Sequence, residues 1–297
     1  MSASDMNQIC AVDGGGTGCR ATIFRPDGAI LAHGMGGPAN YTTDTEQAVG
    51  NVLNAVRSAV EQLGHTRVRL DRMIAHVGLA GIMNEADATA LTSRLPFAVC
   101  RVTDDRTPTV IGALGDEDGA LLAVGTGTFV AARRNGAIRF LGGWGPEIGD
   151  QASGAWLGRE LLSQTMLASD GLEPESDLTM AVLSRFDGSP SDVVAFAKQA
   201  RPADYASFAP QIVSAAQSGD IVGRRLMQRG AAYLNKALDQ CDLSDNHIIC
   251  LTGGVGPHYE THLAPQYRDS VQSPKGNAMD GTLLLARKRQ DELETST

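Results

Sequence analysis

No apolar run in this chain approaches the roughly 18 to 20 residues that a membrane-spanning helix needs. No block of like charge stands out among its 25 Lys and Arg residues, and the net charge is -9. Nucleic acid and anionic membranes need a basic face, so both are argued against as partners. The five cysteines (Cys10, Cys19, Cys100, Cys241 and Cys250) form no CxxC pair, and the six histidines show no HExxH spacing. Neither a disulfide framework nor a protein-built metal site is read from them. Cys10, Cys100 and Cys250 fall inside or at the end of apolar, strand-like runs, as buried thiols of a reducing cytoplasm do. The opening residues, Met1-Ser2-Ala3-Ser4-Asp5-Met6, lack the apolar stretch of a signal peptide, so a cytoplasmic location is expected.

What remains is ample material for a core. At 297 residues and 42% hydrophobic content, the chain can hold one large domain or two of ordinary size. Gln8–Val12 reads as a strand ending at Asp13. Arg20–Arg25 resumes the strand pattern, and Pro26-Asp27-Gly28 is a turn before Ala29–His33, which makes an antiparallel opening. Over Thr45–Leu63, Ala48, Val52, Ala55, Val56, Ala59, Val60 and Leu63 recur at helical spacing. Met73–Leu79 is a buried strand, Ala86–Leu95 a helix and Ala98–Val102 a strand. The second half opens the same way: strand Ala120–Val124, the turn Gly125-Thr126-Gly127-Thr128, strand Phe129–Arg133, the turn signal Asn135-Gly136, and strand Ala137–Leu141. Helices follow over Ala152–Leu167, Asp177–Phe186, Ser191–Ala200, Asp204–Gln217 and Ile221–Cys241, then strand His247–Leu251 and a last helix, Gly276–Arg287. A hairpin with a glycine-rich tip thus begins each half, a duplication of architecture rather than of sequence. It predicts an α/β fold of two lobes, 1–114 and 115–297, facing each other across a cleft, with the boundary in the polar stretch near Leu114–Gly119.

Three segments carry chemistry. Asp13-Gly14-Gly15-Gly16-Thr17 sets a carboxylate, three glycines and a hydroxyl on the first tip. Backbone amides wrap an anion closely only where side chains are missing, so this tip reads as a phosphate cradle. It is no Walker A loop, because it lacks the Gly-Lys-Ser/Thr ending and lies between two strands. Gly125–Thr128 is the matching tip and reads equally well as a structural turn. Asp104-Asp105 follows a strand, where a proton acceptor for phosphoryl transfer to a hydroxyl belongs. Alignment on the strand favours Asp105 over Asp104, and either could cap the helix starting at Thr107. In Gly142-Gly143-Trp144-Gly145-Pro146-Glu147-Ile148-Gly149-Asp150, an aromatic sits among glycines and a carboxylate ends the run. That suits a hexose, with Trp144 against the C–H face and Asp150 accepting from hydroxyls. Gly253-Gly254-Val255-Gly256 is a turn after the last strand. His33 and His76 read as strand residues with local partners.

With both hairpins, Asp105, the Gly-Gly-Trp-Gly run ending at Asp150, and Ser153-Gly154-Ala155-Trp156-Leu157-Gly158 in this order, the chain resembles the actin-like, sugar-kinase and Hsp70 ATPase superfamily. Within it, the chain resembles the BadF/BadG/BcrA/BcrD-type ATPase family over about Ile9 to Arg287. The resemblance implies two ribonuclease-H-like lobes with mixed β-sheets flanked by helices, ATP and Mg²⁺ as cofactors, and an active site in the cleft. It implies that Asp13, Gly14, Gly15, Gly16 and Thr17 cradle the β- and γ-phosphates, Asp13 holding Mg²⁺ through its water shell. Gly125, Gly127 and Thr128 would face phosphate from the second lobe, and Gly253 and Gly254 would lie against the adenosine. Asn40, Gly81, Thr126, Gly143, Trp144, Gly145 and Asp150 would contact the sugar. The chain departs from the family pattern at Asp104-Asp105-Arg106, at Gln151 where a Glu is usual, and at Thr42, where some members carry an aromatic and Tyr41 is adjacent here.

The implied activity is ATP-dependent phosphorylation of N-acetylglucosamine or glucosamine on the 6-hydroxyl, with Asp105 as general base. The family's other branch activates a dehydratase or benzoyl-CoA-type reductase through a cluster-ligating cysteine shared between subunits, for which Cys19 is the nearest candidate here. Sugar-sensing repressors of the superfamily carry a helix-turn-helix ahead of the first strand, and eight residues precede Ile9. The expected partners are a sugar and ATP, and the expected assembly is a homodimer through the helical second lobe.

Overall fold

The turn signals direct the pairing. In a computed structural model describing residues 8–64 and 68–295, β1 (Gln8–Gly14) pairs antiparallel with β2 (Cys19–Phe24), and β2 with β3 (Ile30–Gly36). The residues before Gln8, on which the absence of a leader was read, lie outside the described residues. Helix α1 (Thr45–Gln62) starts where the Asp44 side chain accepts from the Gln47 amide, and it buries Ala48, Val52, Ala55, Val56 and Ala59. It lies so close to β3 that a Cβ at Gly34 or Gly36 would strike its backbone. β4 (Met73–Leu79), buried throughout, runs parallel between β1 and β5 (Val99–Thr103). Helices α2 (Glu85–Thr92) and α3 (Arg106–Leu114) flank β5 in the chain. The strand order is β3-β2-β1-β4-β5.

The second sheet repeats this order with new strands. β6 (Gly119–Val124), β7 (Thr128–Arg134) and β8 (Ala137–Gly142) form the antiparallel arm, with Asn135 and Gly136 both at positive φ in the β7–β8 turn. Helices α4 (Gly154–Ser169), α5 (Asp177–Ser184), α6 (Pro190–Gln199), α7 (Pro202–Ala206), α8 (Ala209–Gln217) and α9 (Ile221–Asp239) follow. β9 (Ile248–Thr252) lies parallel beside β6, a 3₁₀ segment spans Gly256–His262, and α10 (Pro265–Arg268) leads to the two-residue β10 (Val271–Gln272). The order β10-β9-β6-β7-β8 is the first sheet's order read from its other edge. Among the described residues, no helix is long and apolar enough to cross a membrane.

Two sequence expectations change. The helix read over Asp204–Gln217 is two helices, because Pro210 has no amide to give the carbonyl of Ala206 and instead opens α8. The last helix, α11 (Ala278–Thr295), which chain order alone places in the second lobe, packs in the first unit. Its Ala286 is buried with Ile9, Ala11 and Phe24, and its Gly281 lies against the backbone of Pro108 and Gly112 on α3. The described residues of Met1–Asp116 with Lys275–Thr297 form one compact unit, and Glu117–Pro274 forms the other.

Candidate active site

In the first unit, the β1–β2 tip is held from behind and open in front. The Gly14 and Gly15 carbonyls accept from the amides of Ala80 and Ala39 at 2.8 Å each, and the Gly15 amide donates to Gly18 at 2.9 Å. A Cβ on Gly14 would strike Leu79, but one on Gly15 or Gly16 would meet nothing. Among the described residues, the amides of Gly16 and Thr17 donate to no other backbone group. Open space and unspent amides together are what an anion requires. Asp13 Oδ2 accepts from Arg20 at 2.6 Å, leaving Oδ1 without a partner among the described residues. An oxygen donor of that kind fits Mg²⁺, which keeps several of its waters. Asn40 and Gly81 come together beside this tip: Asn40 bridges to Ala80, and Gly81, at φ 83°, lies against Asn40 and Thr42. The Asn40 Oδ1 is engaged by the amides of Thr42 and Thr43 at 3.1 and 3.2 Å, which leaves its amide nitrogen for a ligand.

The adjacent aspartates have different surroundings. Asp104 accepts from the Thr107 amide at 2.9 Å, the Thr107 hydroxyl at 2.7 Å and Arg106 Nε at 2.8 Å. The cap is therefore Asp104's work. Asp105 makes no side-chain capping bond with α3. Burial, followed by the negative charges of Asp104 and Asp13, pushes the Asp105 carboxyl up to about 6. His76 lies behind this strand end. Burial, helped by the positive charge of Arg101, lowers its pKa to about 4, so the ring is neutral near pH 7. Its Nε2 is 3.1 Å from the Thr103 hydroxyl, which donates to the Asp104 carbonyl at 3.0 Å. His33 Nδ1 is likewise 3.0 Å from the Thr22 hydroxyl. Cys19 is buried, and desolvation pushes its thiol up to about 12.

In the second unit, the β6–β7 tip follows the same plan with different anchors. The carbonyls of Gly125 and Thr126 accept from the amides of Gly154 and Ala155 at 2.7 and 3.2 Å, where α4 begins. The amides of Thr126 and Gly127 donate to no backbone group among the described residues. Gly125 is open, whereas a Cβ on Gly127 would stand 2.8 Å from Asp150 Oδ2. Thr126 is exposed and Thr128 is buried.

Asp150 is 7% exposed and is held by the Gly145 amide at 3.3 Å and by the Thr128 amide. Burial raises its pKa despite those two donors, and the charge of Glu147 adds to the rise. Asp150 and Ala152 adopt left-handed φ values of 57° and 71°, uncommon for side-chain-bearing residues, and Gly142, Gly143 and Gly145 are left-handed too. The surroundings fix this loop: the buried Tyr259 hydroxyl donates to the Ala152 carbonyl at 2.9 Å, and Tyr233 packs on Gly142. Neither tyrosine carries a signal in the sequence, because each acts across more than 90 residues of chain. Trp144 is 69% exposed, so the aromatic of this loop is no core residue.

Gly253, at φ 83°, presses on the Val124 carbonyl, and Gly254 next to it is open. Gly125, Thr126, Gly254, Val255 and His258, together with residues of α7 and α8, line a cavity of about 450 Å³ inside the second unit. The α8 residues belong to no recognisable motif in the sequence. Their signal was the spacing of Pro210, Val213, Ser214 and Gln217, which puts them on one helical face. No group of three or more His, Cys, Asp or Glu that could hold a metal occurs among the described residues.

A sequence model of the BadF/BadG/BcrA/BcrD ATPase family matches residues 11–280. The chain is 32% identical over 289 residues to the glucosamine kinase GspK of Vibrio cholerae, covering 97% of this chain and 98% of that protein. A Chromobacterium violaceum structure solved under the provisional name N-acetylglucosamine kinase superposes with a TM-score of 0.84 at 32% identity, covering 95% of this chain and 99% of that one. A glucokinase of the ROK family from Streptomyces griseus shares the fold at a TM-score of 0.55 and 17% identity, covering 96% and 99%.

Proposed function

Because the chain belongs to the BadF/BadG/BcrA/BcrD ATPase family, we propose that it is an ATP-dependent kinase that phosphorylates glucosamine or N-acetylglucosamine on the 6-hydroxyl, with Asp105 as general base. The observation that carries this reading is the division of labour between the two aspartates. Asp104 is committed to the helix cap and Arg106, while Asp105 makes no capping bond and its carboxyl is pushed up to about 6. A base with a pKa just below working pH is ionised and still basic enough to take a proton in the transition state. The relatives support the amino-sugar class, since the Vibrio cholerae protein is named as a glucosamine kinase.

In the proposed reaction, an Asp105 oxygen takes the proton of the sugar hydroxyl. The freed oxygen bonds to the γ-phosphorus as the bond to the β–γ bridging oxygen breaks, leaving ADP and the sugar phosphate. The unspent amides of Gly16 and Thr17, and of Thr126 and Gly127, would receive phosphate oxygens. Mg²⁺ bound through water on Asp13 would offset negative charge on the phosphates. Asp150, fixed by two backbone amides, would accept from sugar hydroxyls, and Trp144 would offer a face to the sugar's C–H groups. The activator reading is disfavoured by Cys19: a thiol buried in the core and pushed up to about 12 is not presented as a cluster ligand.

The test is ADP release from Mg-ATP with glucosamine, N-acetylglucosamine, N-acetylmannosamine, glucose or no sugar. Strong stimulation by glucosamine or N-acetylglucosamine, with phosphate on O6 by NMR, is the expected result. Hydrolysis that no sugar stimulates would overturn the kinase reading.

A further inference from the structure

The cavity inside the second unit has two chemically different ends. At one, the open glycines Gly125 and Gly254 and the exposed Thr126 meet Ala206 of α7, which also touches Gly154 beneath the hairpin. From there α8 runs along the wall with Ala209, Pro210 and Val213, an apolar surface without Lys, Arg, Asp or Glu. It ends on Ser214 and Gln217, exposed side chains with no hydrogen-bond partner among the described residues. From Ala209 to Gln217 the helix rises about 12 Å at roughly 1.5 Å per residue. A ligand with phosphates at the glycine end and a flat neutral ring along the helix would present the ring's polar edge at Gln217.

We propose that Gln217, with Ser214 one turn before it, reads the base of the phosphate donor. This rests on the nucleotide occupying this cavity. A side-chain amide offers one acceptor and two donors on a terminus that can turn over. In one orientation its oxygen accepts from the 6-amino group of adenine while its nitrogen donates to N1. Turned over, it accepts from N1–H of guanine and donates to O6. The wild-type residue therefore accommodates either purine. A carboxylate at the same position only accepts, which suits the N1–H and 2-amino donors of guanine and opposes the N1 lone pair of adenine.

The experiment is the ratio of Kd for ADP to Kd for GDP, by calorimetry in Mg²⁺ without sugar, for wild type, Gln217→Glu and Gln217→Ala. Gln217 is an exposed residue at the last turn of α8, so both variants are expected to fold, which circular dichroism checks. Gln217→Glu is expected to shift the ratio toward GDP by about tenfold, the worth of one matched edge. Gln217→Ala is expected to weaken both nucleotides while leaving the ratio closer to wild type. A ratio in Gln217→Glu equal to wild type overturns the assignment of Gln217, and does so whether or not a sugar stimulates turnover. Absence of sugar-stimulated ADP release, with the ratio shifted as expected, would instead remove the kinase reading and leave the base-reading residue in place.

Discussion

Asp105 in the first unit and Asp150 in the second are both raised by burial, yet the two units hold them differently. Asp150 is fixed by the amides of Gly145 and Thr128 on a loop whose left-handed residues are pinned by Tyr259 and Tyr233. Asp105 is left without a capping bond because its neighbour Asp104 takes that duty, and the charges of Asp104 and Asp13 raise its pKa further. Desolvation alone does not set a carboxylate's role. A carboxylate held by backbone amides of other residues is a fixed acceptor, whereas one free of capping duty near other negative charges is suited to take up a proton. The two hairpins differ in a parallel way. Gly15 and Gly16 front open space on the first tip, while on the second Gly127 is pressed against Asp150.

The largest effect that would break this contrast is expected at Asp105. Asp105→Asn should lower kcat by about 10²- to 10⁴-fold with the sugar KM little changed, measured by steady-state kinetics. Turnover like wild type would hand the role of base to Asp104. Asp150→Asn should keep the fold, since asparagine tolerates a left-handed φ, but raise the sugar KM by about 10- to 100-fold through loss of a charged acceptor. A kcat-only defect in that variant would erase the distinction between the two carboxylates. Next in size, Gly16→Ala should raise the KM for Mg-ATP roughly tenfold, because its methyl enters ligand space rather than protein. Gly127→Ala should raise the KM for the sugar instead, because its methyl displaces Asp150. Identical defects in the two variants would mean that the hairpins do not differ as described.

The smallest effects come with pH. The acid limb of kcat/KM should lie near pH 6, and Asp104→Asn should move it lower by removing a charge that raises Asp105. The Asp105 carboxyl holds its proton to about 6 in the folded protein but to about 3.9 in the unfolded chain. Its contribution to stability is therefore complete below about pH 4 and is lost as pH rises through 6. Asp105→Asn should accordingly be more stable than wild type at pH 8, by about 1 to 3 kcal/mol, and equal to it near pH 4, as calorimetric unfolding would show.

Much of this architecture was legible because it is local. Met73–Leu79 was bounded correctly by its apolar run, and both glycine tips and the Asn135-Gly136 turn announced their hairpins. The helix over 204–217 was misread because apolar spacing outvoted Pro210, whose missing amide divides it. β10, two residues long, falls below any periodic signal. The placement of α11 depends on Ala286 meeting Ile9, Ala11 and Phe24, more than 260 residues away in the chain.

The sequence by itself determined where the chain must turn, which faces are apolar and which residues have the chemistry for phosphate, sugar and proton. Those properties reside in single side chains and short spacings. Only the tertiary structure decided that Asp104 is spent and Asp105 is not, that Gly15 and Gly16 front open space while Gly127 meets Asp150, and that Gln217 lines the same cavity as Gly254. Each of these depends on what other segments bring alongside, because burial, pairing and desolvation arise from contacts distant in sequence.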